Sequence, residues 1–376
     1  MMASSTSPGF SWPPLPGGNA PLIIAPPHLS EWANRVENFL KGKVRPDILG
    51  FATSGSSGAA PKAILFTPEA LEHCALGAIR HMGAETGDWL CPLPLWHIGG
   101  VMTVIRSSLA GTRVFYLKGK WNPDNYTQHL EKTKAAWSSL VPTQVVDLVQ
   151  NEISAPSHIR SILVGGGSLD LETGKKARVL GWPIVQSYGM TEAGSQIATA
   201  CPNEPFHTDR LTILPHWEVK TGERGCLAIR GKGRFFGIVS TKEGNFSLEE
   251  IPENIWWENN DIVEIDGRML TFIRRADRVV KIMGELVDPD AIEETLRHQF
   301  GHIVIDILPH PRNAYQLVAC HPDGELLKKA CFWWNTSCTG FQKIAFLAQV
   351  EIPRNKMGKI DRLSLNKLIA ASLEPI

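Results

Sequence analysis

Thr53-Ser54-Gly55-Ser56-Ser57-Gly58-Ala59-Ala60-Pro61-Lys62 places two glycines, four hydroxyl side chains and a terminal lysine within ten residues. Glycine lets the backbone bend tightly and turn several N–H groups toward one anion, while the hydroxyls and the lysine add donors and charge. That chemistry suits a phosphate group. The spacing is not G-x-x-x-x-G-K-[ST], because Pro61 separates the glycines from Lys62. On composition alone a polar surface turn competes with the phosphate cradle. Upstream, residues 48–53 read as a strand. Downstream, Thr67-Pro68-Glu69-Ala70 offers a capping hydroxyl followed by a first-turn proline, and apolar spacing continues to Met82, as in a helix. The loop is therefore expected to join a strand to a helix region.

Further upstream, residues 1–27 are rich in Ser, Pro and Gly and read as a flexible N-terminal segment. They contain no basic patch followed by a long apolar run, so they resemble neither a signal peptide nor a membrane span. Residues 28–43 read as a short amphipathic helix with Ser30 as its N-cap. The whole chain of 376 residues is long for one core and suggests two domains. Thirty-eight basic and thirty-eight acidic residues balance, which argues against nucleic acid or an acidic membrane surface as partner. Seven cysteines form no C-x-x-C pair and are odd in number, as expected of free thiols in a reducing, cytoplasmic setting with no structural disulfide or zinc site. No membrane insertion is expected. A homodimer is compatible with the sequence but has no signal in it.

Downstream of the loop, strand and helix patterns alternate. Residues 88–94 read as a strand entering a proline-stiffened corner, followed by Leu95-Trp96-His97-Ile98-Gly99-Gly100. A helix from Gly99 puts residues 99, 102/103, 106 and 110 on one face, so Arg106 either shares the glycines' face toward a pocket or is an exposed helical arginine. Strands near 113–117, 135–141, 161–164 and 183–186 alternate with helices at 123–133 and from Val141-Pro142-Thr143-Gln144 to about 151. This order predicts an α/β fold of parallel-rich sheets with flanking helices, and ligands gather beyond the carboxyl ends of such strands. Gly165-Gly166-Gly167 stands at one such end, where a flat adenine could lie against backbone. From residue 201 to 260 the pattern is more irregular and β-rich. Helices at 289–300 and near 324–334, with strands at 302–308, 315–320 and 344–350, suit a smaller α/β domain.

Taken in order, these stretches resemble the adenylate-forming enzymes: acyl-CoA and aryl-CoA ligases, luciferases and adenylation domains. The loop at 53–62 is similar to their phosphate loop, [ST]-S-G-[ST]-T-G-x-P-K. Ser187-Tyr188-Gly189-Met190-Thr191-Glu192 contains their Y-G-x-T-E unchanged. Pro353-Arg354-Asn355-Lys356-Met357-Gly358-Lys359 is similar to P-R-x-x-x-G-K, and Arg274 to Gly284 to G-R-x-D-x-x-[IV]-K-x-x-G with Arg274 in place of the glycine. Trp256-Trp257-Glu258-Asn259-Asn260-Asp261 departs from Y-x-T-G-D, keeping only the aspartate.

The resemblance implies a large ATP- and acid-binding domain over 28–276 and a small mobile lid over 277–376, hinged at Asp277. It implies ATP, Mg2+ and coenzyme A, with a small carboxylic acid as substrate. In that scheme Thr53, Ser54, Gly55, Ser56, Ser57, Gly58 and Lys62 hold phosphates, and Gly165, Gly166, Gly167, Tyr188 and Gly189 hold adenine. Thr191 meets the α-phosphate and Glu192 ligates Mg2+. Asp261 and Arg275 reach the ribose, His97 walls the acyl site, and Lys359 serves adenylation. The face carrying Lys281 and Gly284 serves thioester formation. His97 with Arg106 nine residues on, Gln144, Ser187 and Ser195 most resemble the 2-succinylbenzoate–CoA ligases of menaquinone synthesis over roughly residues 50–365. A diacid needs its second carboxylate neutralised, which gives Arg106, Ser195 and Gln144 a physical purpose. The chain reads as shortened ahead of the phosphate loop. Other readings are an aryl or medium-chain acyl-CoA ligase, an amino-acid adenylation domain, and a relative that binds nucleotide without ligase activity.

Overall fold

The computed structural model describes residues 21–53, 60–242, 244–283, 285–310, 313–338, 340–355 and 358–376. The chain divides into two compact units. One comprises residues up to 221 with 228–258 and 264–271, and the other comprises 222–227, 259–263 and 272–376. The first is a large mixed α/β domain with a parallel-rich sheet and flanking helices. The second is a smaller α/β domain.

The first unit is built on five parallel strands in the spatial order Val114–Tyr116, Trp89–Cys91, Trp137–Leu140, Ser161–Val164 and Ile184–Tyr188. The four inner strands are short and almost wholly buried, as a sheet covered on both faces requires, while Val114–Tyr116 at the edge is partly exposed. Helices Pro123–Thr133, Pro142–Gln150 and Leu171–Val179 bury Tyr126, Leu130, Val145, Leu148 and Ala177 with Ile162, Val164 and Ile184. The chain order reverses at Trp89–Cys91, which leads outward to Val114–Tyr116 while the next strand, Trp137–Leu140, returns to its other side. With right-handed crossovers, that reversal puts helix Ile98–Leu109 on the opposite face from Pro142–Gln150 and opens a crevice at the strands' carboxyl ends. Thr103 of the first helix stands 3.4 Å from Ser139 of the returning strand. Beyond Ile184–Tyr188 the sheet continues antiparallel through Ala198–Thr199 and Leu211–Ile213.

A second sheet in this unit carries Leu22–Ile24, Leu49–Thr53, Lys62–Phe66, Gly237–Lys242 and Asn245–Glu250 in that order. Here three expectations change. The loop after Thr53 does not lead to a helix: Leu49–Thr53 and Lys62–Phe66 form an antiparallel pair with Thr53 opposite Lys62. Gly237–Val239 pair with Leu65 to Ala63 on the other side. The helix, Pro68–Met82, begins only after that second strand, capped by Thr67 accepting from Ala70 N at 3.2 Å and closed by Gly83. Residues 22–24 are not a flexible segment, because they pair in parallel with 49–51 and Ile23 is buried against Val36, Leu40 and Leu65. Ser30 is the first residue of helix Ser30–Leu40 rather than its cap; a turn at Pro27–Leu29 leads in and supplies no capping side chain.

In the second unit, Val304–His310, Ala314–His321, Ile344–Gln349 and Leu373–Pro375 form a four-stranded sheet. Helices Pro289–Phe300 and Gly324–Ser337 pack on one face around Leu296, Leu317 and Leu327, and Arg362–Ala371 packs on the other around Val318, Leu365 and Ile369.

Candidate functional site

Four loops leave neighbouring parallel strands of the first unit at their carboxyl ends, and each carries predicted residues. After Trp89–Cys91, His97 occupies the position just before helix Ile98–Leu109 and is half-buried, its carbonyl accepting from Gly100 N at 3.0 Å. After Trp137–Leu140, Gln144 turns its Oε1 back to accept from Val141 N at 3.0 Å, which closes the first turn of Pro142–Gln150. After Ser161–Val164 come Gly165, Gly166 and Gly167. Gly165 N donates to Leu140 O at 3.1 Å, and Gln186 Nε2 binds the carbonyls of Val164 and Gly167 at 3.3 and 3.0 Å. The buried amide of Gln186 thus ties the triple glycine to the adjacent strand. After Ile184–Tyr188, the loop carries Tyr188, Gly189, Thr191, Glu192 and Ser195.

That last loop is held by backbone. A Cβ on Gly189 would stand 1.5 Å from the carbonyl oxygen of Ser195, so no other residue fits without moving the loop. Ser195 has a φ of 99°, a region that L residues avoid, and its N donates to Met190 O at 3.1 Å. Thr191 and Glu192 lie in a single helical turn, Thr191–Ala193, and Glu192 O accepts from Phe235 N at 3.2 Å. Ser187 is buried, with its hydroxyl 3.2 Å from that of Thr199.

Arg106 is not an exposed helical arginine; it is 2% exposed. Its Nη2 donates to Gln196 Oε1 at 2.6 Å, and its Nε is buried without a partner. Burial pulls the guanidinium down to about 10, and pushes the neighbouring Cys74 and Cys91 thiols up to about 12 and 11. Both thiols are therefore neutral at neutral pH and cannot balance the cation. Gln196 was not singled out as a site residue from the sequence. It adjoins Ser195 in a quoted stretch, yet its partner lies 90 residues away, so no local pattern marks it.

Thr53 and Lys62 face each other at the mouth of the strand pair, Lys62 exposed and Thr53 half-buried. Ser54, Gly55, Ser56, Ser57 and Gly58 lie outside the described residues, as does Gly284.

In the second unit, Arg275 gathers two of the predicted partners. Its Nη1 donates to Asp261 Oδ1 at 3.1 Å, and its Nε and Nη2 clasp Asp277 at 2.9 and 2.7 Å. Asp261, 7% exposed, also accepts from Asn259 Nδ2 at 3.1 Å. Hydrogen bonds from Arg275 hold the Asp277 carboxyl below the usual carboxylate range. Arg274, which stands where a glycine was expected, pairs with Asp288 at 2.9 Å. Lys281 is exposed in strand Val280–Ile282. Lys359 is exposed on a turn closed by Asn355, whose N donates to Lys359 O at 2.8 Å and whose Oδ1 accepts from Lys359 N at 3.1 Å. An open cleft of about 550 Å³ beside Pro322, Gln349, Ser372 and Glu374 contains none of the candidate residues.

Residues 51–235 match the family model described as AMP-binding enzyme. A 2-succinylbenzoate–CoA ligase of Listeria monocytogenes serotype 4b is 27% identical over 330 residues, covering 84% of this chain and 68% of the relative. Another, from Listeria monocytogenes serovar 1/2a, is 30% identical over 251 residues, covering 65% of this chain and 52% of the relative. The chain spans about half the length of several further relatives of that name. The solved structure of O-succinylbenzoate coenzyme A synthetase from Bacillus subtilis in complex with AMP superposes with a TM-score of 0.68 at 23% identity, over 84% of this chain and 68% of that one. Among the described residues no helix is long and apolar enough to cross a membrane, and no group of three or more His, Cys, Asp or Glu side chains could hold a metal.

Proposed function

We propose that this chain, whose residues 51–235 match the AMP-binding enzyme model, is an AMP-forming carboxylic acid–CoA ligase of the adenylate-forming superfamily whose acid is 2-succinylbenzoate. The observation that supports the diacid is Arg106, a buried guanidinium with a neutral hydrogen-bond partner and no carboxylate partner among the described residues. A desolvated cation costs several kcal/mol unless an anion joins it, roughly the scale of a buried ion. The second carboxylate of the substrate is that anion. Ser187, Ser195 and Gln144 would contribute hydroxyl and amide groups around it, with His97 at the wall.

In the reaction, a carboxylate oxygen attacks the α-phosphorus of ATP and pyrophosphate leaves, giving an acyl-adenylate. Two anions must approach, so positive charge and N–H donors lower the barrier. Lys359 supplies an ammonium to this step, Thr191 a hydroxyl to the α-phosphate, and Lys62 a charge toward the departing pyrophosphate. Tyr188 and the glycines at 165–167 and 189 hold adenine, while Asp261 and Arg275 hold ribose. Mg2+, when bound, neutralises phosphate charge. Glu192 would be its protein ligand, and one carboxylate suits an ion that takes most of its oxygens from phosphates and water. The CoA thiol then attacks the acyl carbon, AMP leaves, and the face of Lys281 serves this step with Asp277 as hinge.

The test is pyrophosphate release with ATP, Mg2+ and a panel of 2-succinylbenzoate, benzoate, octanoate and amino acids, with Lys359→Ala alongside. Release with 2-succinylbenzoate alone, reduced about 100-fold in the variant and followed by thioester when CoA is added, is the expected result. Release with benzoate or octanoate moves the acid to the general ligases. ATP binding with no release for any acid leaves a nucleotide-binding relative, the reading favoured by the altered stretch at 256–261.

A further inference from the structure

The group that holds Arg106 is an amide where a carboxylate would fit. Arginine only donates, so Gln196 must present its Oε1 to Nη2, at 2.6 Å. Its Nε2 then donates to Thr199 Oγ1 at 2.9 Å, and its own carbonyl accepts from Trp217 Nε1 at 2.8 Å. Three bonds fix the residue, which is 4% exposed. A glutamate has the same shape, could accept from Arg106 with one oxygen and from the Thr199 hydroxyl with the other, and would form the ion pair that a buried arginine ordinarily has. The amide orients the guanidinium and leaves its charge unspent.

Resting on the ligase reading above, we infer that Gln196 is a positioning residue that sets acid specificity. By keeping Arg106 oriented but not neutralised, it makes binding favour an acid with a second anionic group. Replacing it by glutamate places an internal carboxylate where that group would act, and so converts a diacid site into a monoacid site.

The experiment uses the full chain and two acids that share the succinyl chain: 2-succinylbenzoate, and 4-oxo-4-phenylbutanoate, which lacks the ring carboxylate. Acid-dependent pyrophosphate release is measured for the wild type, Gln196→Glu and Gln196→Met. In Gln196→Glu the diacid-to-monoacid ratio of kcat/KM is expected to fall about 100-fold, the scale of one lost charge-assisted pair. KM should rise for the diacid and fall for the monoacid, with kcat moving less. Gln196→Met keeps the charge of Arg106 but not its orientation, so the diacid KM should rise without a gain for the monoacid. A raised unfolding midpoint in Gln196→Glu with an unchanged ratio would overturn the inference and make the pair purely structural. Should Gln196→Glu not fold, an unchanged diacid KM in Gln196→Met overturns it as well. Absence of turnover with either acid in the wild type sinks the 2-succinylbenzoate ligase reading instead. Calorimetric binding of the two acids then decides the inference, and equal wild-type affinities overturn it.

Discussion

The loops at the carboxyl ends of the parallel strands and the turns of the second unit carry functional candidates in opposite ways. In the first region the residues are embedded: Arg106 and Gln196 are buried, Gly189 is pressed against Ser195 O, and Gln186 anchors the triple glycine. In the second, Lys281 and Lys359 stand exposed, and among the described candidates only Asp261 is sunk into its surroundings. The difference teaches which substitutions separate function from fold. A group held by packing cannot be changed without disturbing its neighbours, whereas truncating an exposed lysine removes little packing.

The largest effect should come at Gly189. Gly189→Ala drives a methyl into backbone, which cannot rotate aside, so a loss of about 3 kcal/mol or more is expected in urea unfolding. A loss below that of an ordinary surface substitution would show the loop to be soft and break the contrast. His216 supplies the next. Both of its ring nitrogens are buried without partners, and a Cβ on Gly77 of helix Pro68–Met82 would lie 2.0 Å from its Nδ1. Burial, reinforced by the positive charges of His73 and Arg268, lowers its pKa to about 4. The folded state therefore holds His216 neutral. Its contribution is present above the unfolded value near 6.5 and is lost as pH falls from there toward about 4, by roughly 2 kcal/mol. Unfolding midpoints at pH 7 and pH 4.5 should differ less in His216→Gln than in the wild type; an equal difference removes His216 as the cause. A smaller change, of about 1 kcal/mol and of opposite sign, is expected for Ser195→Gly, since glycine accepts a φ of 99° without strain. A melting point that drops instead would show that the Ser195 hydroxyl outweighs the backbone cost. At the other end of the comparison, Lys359→Ala should leave the melting point within the equivalent of about 0.5 kcal/mol, whatever it does to pyrophosphate release.

The helices at 68–82, 123–133 and 289–300 were legible because their caps, first-turn prolines and apolar spacing are written within each segment. The strand at 161–164 and the glycines after it were legible for the same reason. Lys62–Phe66 was not seen as a strand. Its identity comes from pairing with Leu49–Thr53 on one side and with Gly237–Val239, some 170 residues on, at the other. Ser30 has a good capping side chain, yet the preceding turn at Pro27–Leu29 brings the chain in already coiled, and the cap goes unused.

By itself the sequence determined most of the alternation of strands and helices through 88–188 and the stretches that mark the superfamily. Short-range chemistry suffices for these, because backbone preference and motif spacing act over a few residues. Only the tertiary structure decided that Arg106 is buried rather than exposed, that Gln196 and not a carboxylate faces it, and that Arg275 joins Asp261 to Asp277. Burial and pairing are properties of segments that meet only after folding. Arg106 meets its hydrogen-bond partner in a glutamine that the chain reaches 90 residues later.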